Sequence, residues 1–307
     1  MTVAPPEIVE DGRPVLSARN EQTAMSAFHI LRDYAVLSKA RIVMMVLITT
    51  AAGYVFAAPH VNVLLLINTL IGTALVAAGT NALNQYVERE HDARMRRTRT
   101  RPLPDGRITP RSALIFSTAI AIIGTVYLVA TVNVLTAVLG ALTLTSYIFV
   151  YTPLKRVSTI CTVIGAVPGA IPPLMGWTAA TGSVGVGGWI LFGILFFWQL
   201  PHFMAISWIY REDYGRAGFA MLSVRDTDGT ATARQAILYS LGLVAVSALP
   251  PLFGLAGIGY LAGAMVAGVA LTAVAIAFFF ERSNRNARRL FMLSNIYLIV
   301  VMLLLVE

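Results

Sequence analysis

The stretch NQYVEREHD carries Asn84, Glu88 and Asp92 at intervals of four residues. On a helix each step of four turns the chain by roughly 400°, so the three side chains share one slowly drifting stripe. An amide with two carboxylates is an oxygen-ligand set that suits Mg²⁺, which binds a few carboxylates together with waters and substrate phosphates. Behind the stripe come Arg94, Arg96, Arg97, Arg99 and Arg101, and arginine forks match phosphate oxygens bidentately. Metal-binding acids beside a phosphate-binding basic strip point to a diphosphate site. The bland alternative is that helix ends carry mixed charge and that these arginines only anchor topology.

Two further stretches weigh against the bland alternative. In WQLPHFMAISWIYREDYGRAGFAML (198–222), His202 and Asp213 are eleven residues apart, which returns a helix to nearly the same face. Trp198, Ile206 and Tyr210 share much of that face, so it is expected to point inward. A single histidine near a helix end is commonly a hydrogen-bonded packing residue. Asp213 is the better candidate, as a carboxylate for a second metal ion. In YTPLKR (151–156), Tyr151 offers a π face that can stabilise a cation. Lys155 and Arg156 either hold a leaving diphosphate or anchor topology.

The elements that must position these groups are set by composition. The chain has 307 residues, 57% hydrophobic and only 12% charged, against about 25% charged in soluble domains. Apolar runs of about 20 residues match the bilayer core. They predict an all-α polytopic membrane protein with nine helices at about 36–58, 64–87, 112–131, 134–151, 157–178, 188–210, 234–253, 256–279 and 288–306. Pro168, Pro172 and Pro173 predict a kink or break in the fifth.

All 23 basic residues lie in the N-terminal segment and the connections after spans 2, 4, 6 and 8. That bias places the N-terminus and these connections in the cytoplasm. The net charge of +8 then reflects topology and phosphate handling, and no basic, aromatic-interleaved soluble domain argues for nucleic acid. The single cysteine, Cys161, excludes a disulfide framework. Residues 1–27 have neither the Arg-rich, acid-poor character of a transit peptide nor the early apolar core of a secretory signal. They are expected to be a flexible cytoplasmic tail before one transmembrane domain over 28–307, in a bacterial inner membrane.

Charged connections are expected after the second and sixth helices, and their wording is loosely parallel. Asp92 precedes RPLPDGRITPR and Asp213 precedes MLSVRDTDGTATAR, offset by 121 residues between the aspartates. An internal repeat of about 120 residues would set the two connections facing each other across a central cavity.

This pattern resembles the UbiA superfamily of intramembrane aromatic prenyltransferases, and within it the branch that farnesylates haem. The resemblance runs from about residue 30 onward. The superfamily's first motif, NDxxDxxxD, reads NQYVEREHD here: Asn84, Glu88 and Asp92 keep their places and Gln85 stands where Asp is usual. That departure, together with MxRTxxRPLP (Met95 to Pro104), WQxPHF and RxDYxxAGxxML, is similar to the haem branch. In the second motif Asp213 matches the later aspartate, while the earlier position, near Ile209, lacks a carboxylate. The number of metal ions, one or two, stays open.

The resemblance implies transfer of farnesyl from farnesyl diphosphate to a vinyl group of haem B with addition of water. Haem B would be a substrate, not a prosthetic group. Asn84, Glu88, Asp92 and Asp213 would hold Mg²⁺. Arg101, Lys155 and Arg156 would neutralise the leaving diphosphate. Tyr151, with Trp198 or Tyr210, would shield the allylic cation. His202 would contact haem, with packing as the alternative, and Trp177 with GAVPGAIPPLMGW (165–177) would line the cavity or pack the core. Partners would be the lipid bilayer and, as candidates, a second copy of the chain or haem A synthase downstream.

Three rival readings remain. One is another UbiA-type enzyme acting on a quinone precursor or a different tetrapyrrole, against which Gln85 and WQLPHF count. Another is an anion transporter, which repeats and broken helices also fit but which leaves the acids beside arginines unexplained. The third is a haem-binding assembly chaperone indifferent to farnesyl diphosphate and Mg²⁺.

Overall fold

The computed structural model describes residues 28–306, so the expectation for residues 1–27 lies outside the described residues. Among the described residues, nine helices are long and apolar enough to cross a membrane. They are α1 (Ala40–Ala57), α2 (Val63–Asp92), α3 (Pro110–Thr131), α4 (Val134–Leu154), α5 (Cys161–Thr181), α6 (Val186–Ile209), α7 (Thr230–Leu252), α8 (Ile258–Phe280) and α9 (Asn284–Leu305). Each expected span overlaps one helix, with ends displaced by at most five residues. A helix at 28–37 precedes α1.

Helix starts follow the local chemistry. Asn62, Thr109 and Asn133 cap α2, α3 and α4 by accepting from the backbone N–H three residues on, which satisfies donors that the helix itself leaves free. α2 has 30 residues, about 45 Å at 1.5 Å per residue. That exceeds a hydrocarbon core of about 30 Å. Its last turns, which carry Glu88 and Asp92, therefore extend to the charged side of the bundle.

Sequential helices pack side by side through α9, and α1 closes onto α5 and α9. The pairs α1–α2, α2–α3, α3–α4, α4–α5 and α2–α5 recur four helices later as α5–α6, α6–α7, α7–α8, α8–α9 and α6–α9. α5 and α6 are the inner helices. About two-thirds of the apolar window of α5 and over half of that of α6 are buried, against two-fifths or less for the other seven.

Of the kink or break expected in α5, the break does not occur: the helix runs through Pro168, Pro172 and Pro173. Its neighbours hold it. A Cβ on Gly53 of α1 would lie 2.1 Å from the Pro173 carbonyl oxygen, and one on Gly169 would lie 2.0 Å from Gln199 Oε1 of α6. Neighbouring helices make prolines tolerable in membrane helices by pairing backbone groups, and Gln199 Nε2 of α6 donates to the Ala166 carbonyl of α5 at 2.8 Å.

The irregular helix is α4. Residues Ser146–Tyr151 form a π-helical turn before Thr152–Leu154 resume the α form. Such turns recur at functional sites. This one falls shortly before Lys155.

Candidate active site at the ends of α2 and α4

The stripe expected on α2 forms. Asn84, Glu88 and Asp92 are 1%, 4% and 1% exposed, and each oxygen ligand has acquired a cation. Lys39 Nζ donates to Asn84 Oδ1 at 2.8 Å. Lys155 Nζ donates to Glu88 Oε1 at 2.8 Å. Arg101 Nη1 donates to Asp92 Oδ2 at 2.6 Å. Three acceptors on one helix thus face three cations from three other segments.

The cations differ in electrostatic state. Burial works against the Lys155 ammonium, but the adjacent Glu88 carboxylate outweighs it and holds Lys155 well above the ordinary lysine value. Burial and the nearby Arg101 guanidinium pull Lys39 down to about 7. Lys155 is a committed cation. Lys39 gains most from an added anion.

The π turn explains how α4 reaches this stripe. Thr152 Oγ1 donates to the Tyr147 carbonyl at 2.8 Å and accepts from Asn84 Nδ2 at 3.2 Å. The threonine thus fixes the amide so that its oxygen faces Lys39. Lys155 Nζ lies 4.4 Å from the Tyr151 ring centroid, and Tyr147 packs edge-on to that ring at 5.0 Å. The Tyr151 ring also abuts Gly165 of α5, where a Cβ would come within 2.5 Å of it. The expected role of Tyr151 is to shield an allylic cation. In this structure its π face lies against the Lys155 ammonium.

The side chains of the arginine strip take different directions. Arg94, Arg96, Arg97 and Arg99 do not reach the acids, and Arg101 alone among the five turns inward to them. Past Asp92 the chain leaves the helix for successive turns, so helical spacing no longer governs direction. Thr98 Oγ1 donates to the Asp92 carbonyl at 2.8 Å and closes the first of these turns. Arg156 is exposed and donates to the Val87 carbonyl at 3.3 Å, not to the stripe.

The long connection after α6 closes over the same ends. Asp213 accepts from the backbone N–H groups of Arg96 and Arg97, each at 3.3 Å, and from Arg216. Arg97 lies 4.5 Å from the Tyr210 ring centroid and donates to Tyr214 Oη at 3.3 Å. His91 Nδ1 donates to the Ala217 carbonyl at 2.8 Å, and its ring stacks on Phe219 at 5.2 Å. Ala220 N–H donates to the Lys155 carbonyl at 2.7 Å. The two charged connections therefore touch as one layer.

The face shared by His202 and Asp213 does not exist. α6 ends at Ile209, and Asp213 belongs to a separate turn of helix, Arg211–Arg216. Tyr210 between them has φ −108° and ψ 20°, outside the helical region, so the eleven-residue spacing loses its meaning. His202 Nδ1 pairs with Ser294 Oγ of α9 at 2.9 Å, and its ring lies between Trp198 and Phe291. Trp198 donates its indole N–H to the Ser294 carbonyl. His202 and Trp198 thus form a second cluster, facing α9.

The donor set on α2 suits a hard cation. Among the described residues no three of His, Cys, Asp and Glu converge as a complete metal cage. Mg²⁺ needs no such cage: one or two carboxylates with waters and substrate phosphates suffice. Glu88 and Asp92 meet that requirement, with Asn84 beside them. Asp92 Oδ1 has no protein donor among the described residues. Asp213, the fourth oxygen ligand expected, pairs with the arginine turn.

Two residues of this site are not singled out by the sequence. Lys39 reads there only as a topology charge, and its single signal is its place at the cytoplasmic edge of the first span. Thr152 carries no signal beyond its position within YTPLKR.

A model of the UbiA prenyltransferase family matches residues 46–298. A protein of Solibacter usitatus (strain Ellin6076) named protoheme IX farnesyltransferase is 45% identical over 278 residues, covering 87% of this chain and 95% of the relative. A structure reported for digeranylgeranylglyceryl phosphate synthase superposes with a TM-score of 0.76 at 19% identity, covering 90% of this chain and 97% of that one. A UbiA homologue from Archaeoglobus fulgidus, bound to GPP and Mg²⁺, superposes with a TM-score of 0.63 at 16% identity, covering 89% and 99%.

Proposed function

The chain belongs to the UbiA prenyltransferase family, and we propose that it transfers the farnesyl group of farnesyl diphosphate to a vinyl group of haem B, giving haem O and diphosphate. The observation that carries this reading is the buried stripe of Asn84, Glu88 and Asp92 faced by Lys39, Lys155 and Arg101. The acceptor is read from the haem-farnesylating relatives, which match nearly the full chain.

Glu88 and Asp92, with Asn84, would hold Mg²⁺, which supplies positive charge to the diphosphate when bound. Lys155, Arg101 and Lys39 take the charge that develops on the leaving diphosphate as the C1–O bond breaks. They are fixed before the reaction by their pairs on α2, so little reorganisation is needed at that moment. Tyr151 keeps Lys155 on the stripe. Apolar helix faces exclude water from the farnesyl cation until the vinyl carbon attacks C1. Water then quenches the cation left beside the porphyrin, adding hydroxide there and releasing a proton. No protein nucleophile is needed. His202, held by Ser294 through Nδ1, keeps Nε2 for the haem, with Trp198 beside it. Asp213 and Tyr210 act on the diphosphate site through the arginine turn that they hold, and Arg156 supports the same edge.

The protein is a multi-pass membrane protein. The distribution of its 23 basic residues supports an orientation with the N-terminus and the site on the cytoplasmic side, and a bacterial inner membrane is the location this reading takes. A second copy of the chain and haem A synthase, which would take up the product, are the protein partners this reading suggests.

The test is direct. The purified protein in detergent receives haem B, farnesyl diphosphate and Mg²⁺, and the haem is read by chromatography and mass spectrometry. Haem heavier by one farnesyl group and one hydroxyl, lost on chelation and regained with Mg²⁺, is the expected result. Unchanged haem with prenylation of an added quinone precursor would overturn the choice of acceptor.

A further inference from the structure

Gln85 is the immediate neighbour of Asn84 on α2, yet it does not face the acids. It is 1% exposed. Its Nε2 donates to the Val36 carbonyl at 2.9 Å and to the Leu37 carbonyl at 2.7 Å. These carbonyls end the helix at 28–37, where a helix leaves its last acceptors unpaired. The amide on α2 therefore caps a helix from another segment. Among the described residues its Oε1 has no partner, so the amide's contribution is its two donated bonds.

The backbone just past Leu37 is unusual. Lys39 has φ 52° and ψ 56°, the only non-glycine residue with positive φ among the described residues. A left-handed residue with a side chain is strained and persists where its surroundings over-determine it. Here the surroundings are identifiable. Leu37 is fully buried in a cluster with Ala82, Leu103, Ile108 and Ala113. Lys39 N–H donates back to the Val36 carbonyl at 3.1 Å. Gln85 grips the carbonyls of Val36 and Leu37. The turn sends the Lys39 ammonium to Asn84, the residue next to Gln85. A carboxylate at position 85 has no hydrogen to donate and would set oxygen against two carbonyl oxygens. The amide there, where the motif usually has an acid, matches this turn.

We propose that Gln85 is a positioning residue that locks the 36–39 turn and thereby holds the Lys39 ammonium in the prenyl diphosphate site. It acts on diphosphate affinity through Lys39 and touches neither the diphosphate nor the acceptor. The inference rests on the diphosphate site proposed above and does not depend on haem being the acceptor.

The test compares Gln85→Met, which keeps the shape and loses the donors, with Lys39→Met and the double variant. Each purified protein is checked by thermal melting in detergent. Equilibrium binding of radiolabelled farnesyl diphosphate is then measured with Mg²⁺ and without haem, followed by KM for both substrates. Gln85→Met and Lys39→Met are each expected to weaken farnesyl diphosphate binding by about tenfold, the scale of one hydrogen bond to a charged group. KM for haem should stay within about twofold. The double variant should bind no more weakly than Lys39→Met alone, because both changes remove one effect. Single losses that multiply in the double variant would overturn the proposal, as would normal binding by folded Gln85→Met. If Gln85→Met does not fold, Gln85→Asn, whose shorter amide falls short of the Val36 and Leu37 carbonyls, takes its place: weakened binding that Lys39→Met does not deepen would support the proposal, and normal binding by Gln85→Asn or by Lys39→Met would overturn it. Normal diphosphate binding by wild type with no haem product would overturn the acceptor and leave this inference standing.

Discussion

Lys155→Met separates the two roles the structure gives to one ion pair. Lys155 Nζ and Glu88 Oε1 are 2.8 Å apart. At an effective dielectric of about 20, unit charges at that distance attract by about 6 kcal/mol. The side chains are only 13% and 6% exposed, so desolvation of several kcal/mol per ion offsets most of that attraction. The intact pair adds little net stability, but removing one partner strands a buried charge and costs about 3–5 kcal/mol. Lys155→Met should therefore melt well below wild type in detergent. The double variant Lys155→Met/Glu88→Gln, with no stranded charge, should regain most of that loss. Turnover should not return with it. Losing one preorganised group that stabilises transition-state charge costs roughly 100–1000-fold in kcat, and the double variant also lacks a metal-binding carboxylate. Melting curves and haem product by mass spectrometry, on the same samples, read both effects. A double variant that recovers both stability and turnover would show that the pair is structural only. Lys155→Met that melts like wild type would refute the buried-pair energetics.

Three other outcomes are expected. Glu88→Gln and Asp92→Asn should each abolish haem product while the protein still inserts and elutes as wild type; near-normal turnover by either would remove the metal assignment. Gly165→Ala adds a Cβ within 2.5 Å of the Tyr151 ring. Displacing Tyr151 and Lys155 by about 1 Å should lower kcat up to about 100-fold, and unchanged kcat would mean that the ring does not set the lysine's place. His202→Ala should raise KM for haem without changing KM for farnesyl diphosphate, because its cluster with Trp198 and Ser294 is separate from the α2 stripe; equal KM values for haem in both proteins would reduce His202 to packing.

The stripe on α2 is legible in the sequence because it is a local property. Three side chains on one regular helix keep their spacing whatever packs against them, and the apolar runs that define the nine helices are equally local. The eleven-residue relation between His202 and Asp213 fails for the complementary reason. It assumes one helix through Tyr210, and the chain ends α6 there, sending His202 to Ser294 and Asp213 to the Arg96–Arg97 turn. The directions of the arginines after Asp92 are likewise beyond helical spacing, since turns replace the helix and only Arg101 faces the acids.

From the sequence alone came the membrane architecture, the acidic stripe, the cationic YTPLKR end of α4 and the family resemblance, all carried by composition and short-range spacing. Tertiary structure alone decided which donor meets which oxygen. Lys39 reaches Asn84 across 45 residues, Lys155 reaches Glu88 across 67 and His91 reaches Ala217 across 126. Those meetings depend on a left-handed turn, a π turn and two interlocked connections, where the backbone departs from regular geometry. Helical periodicity carries no information about direction at such places, so the partners appear only once the helices are packed.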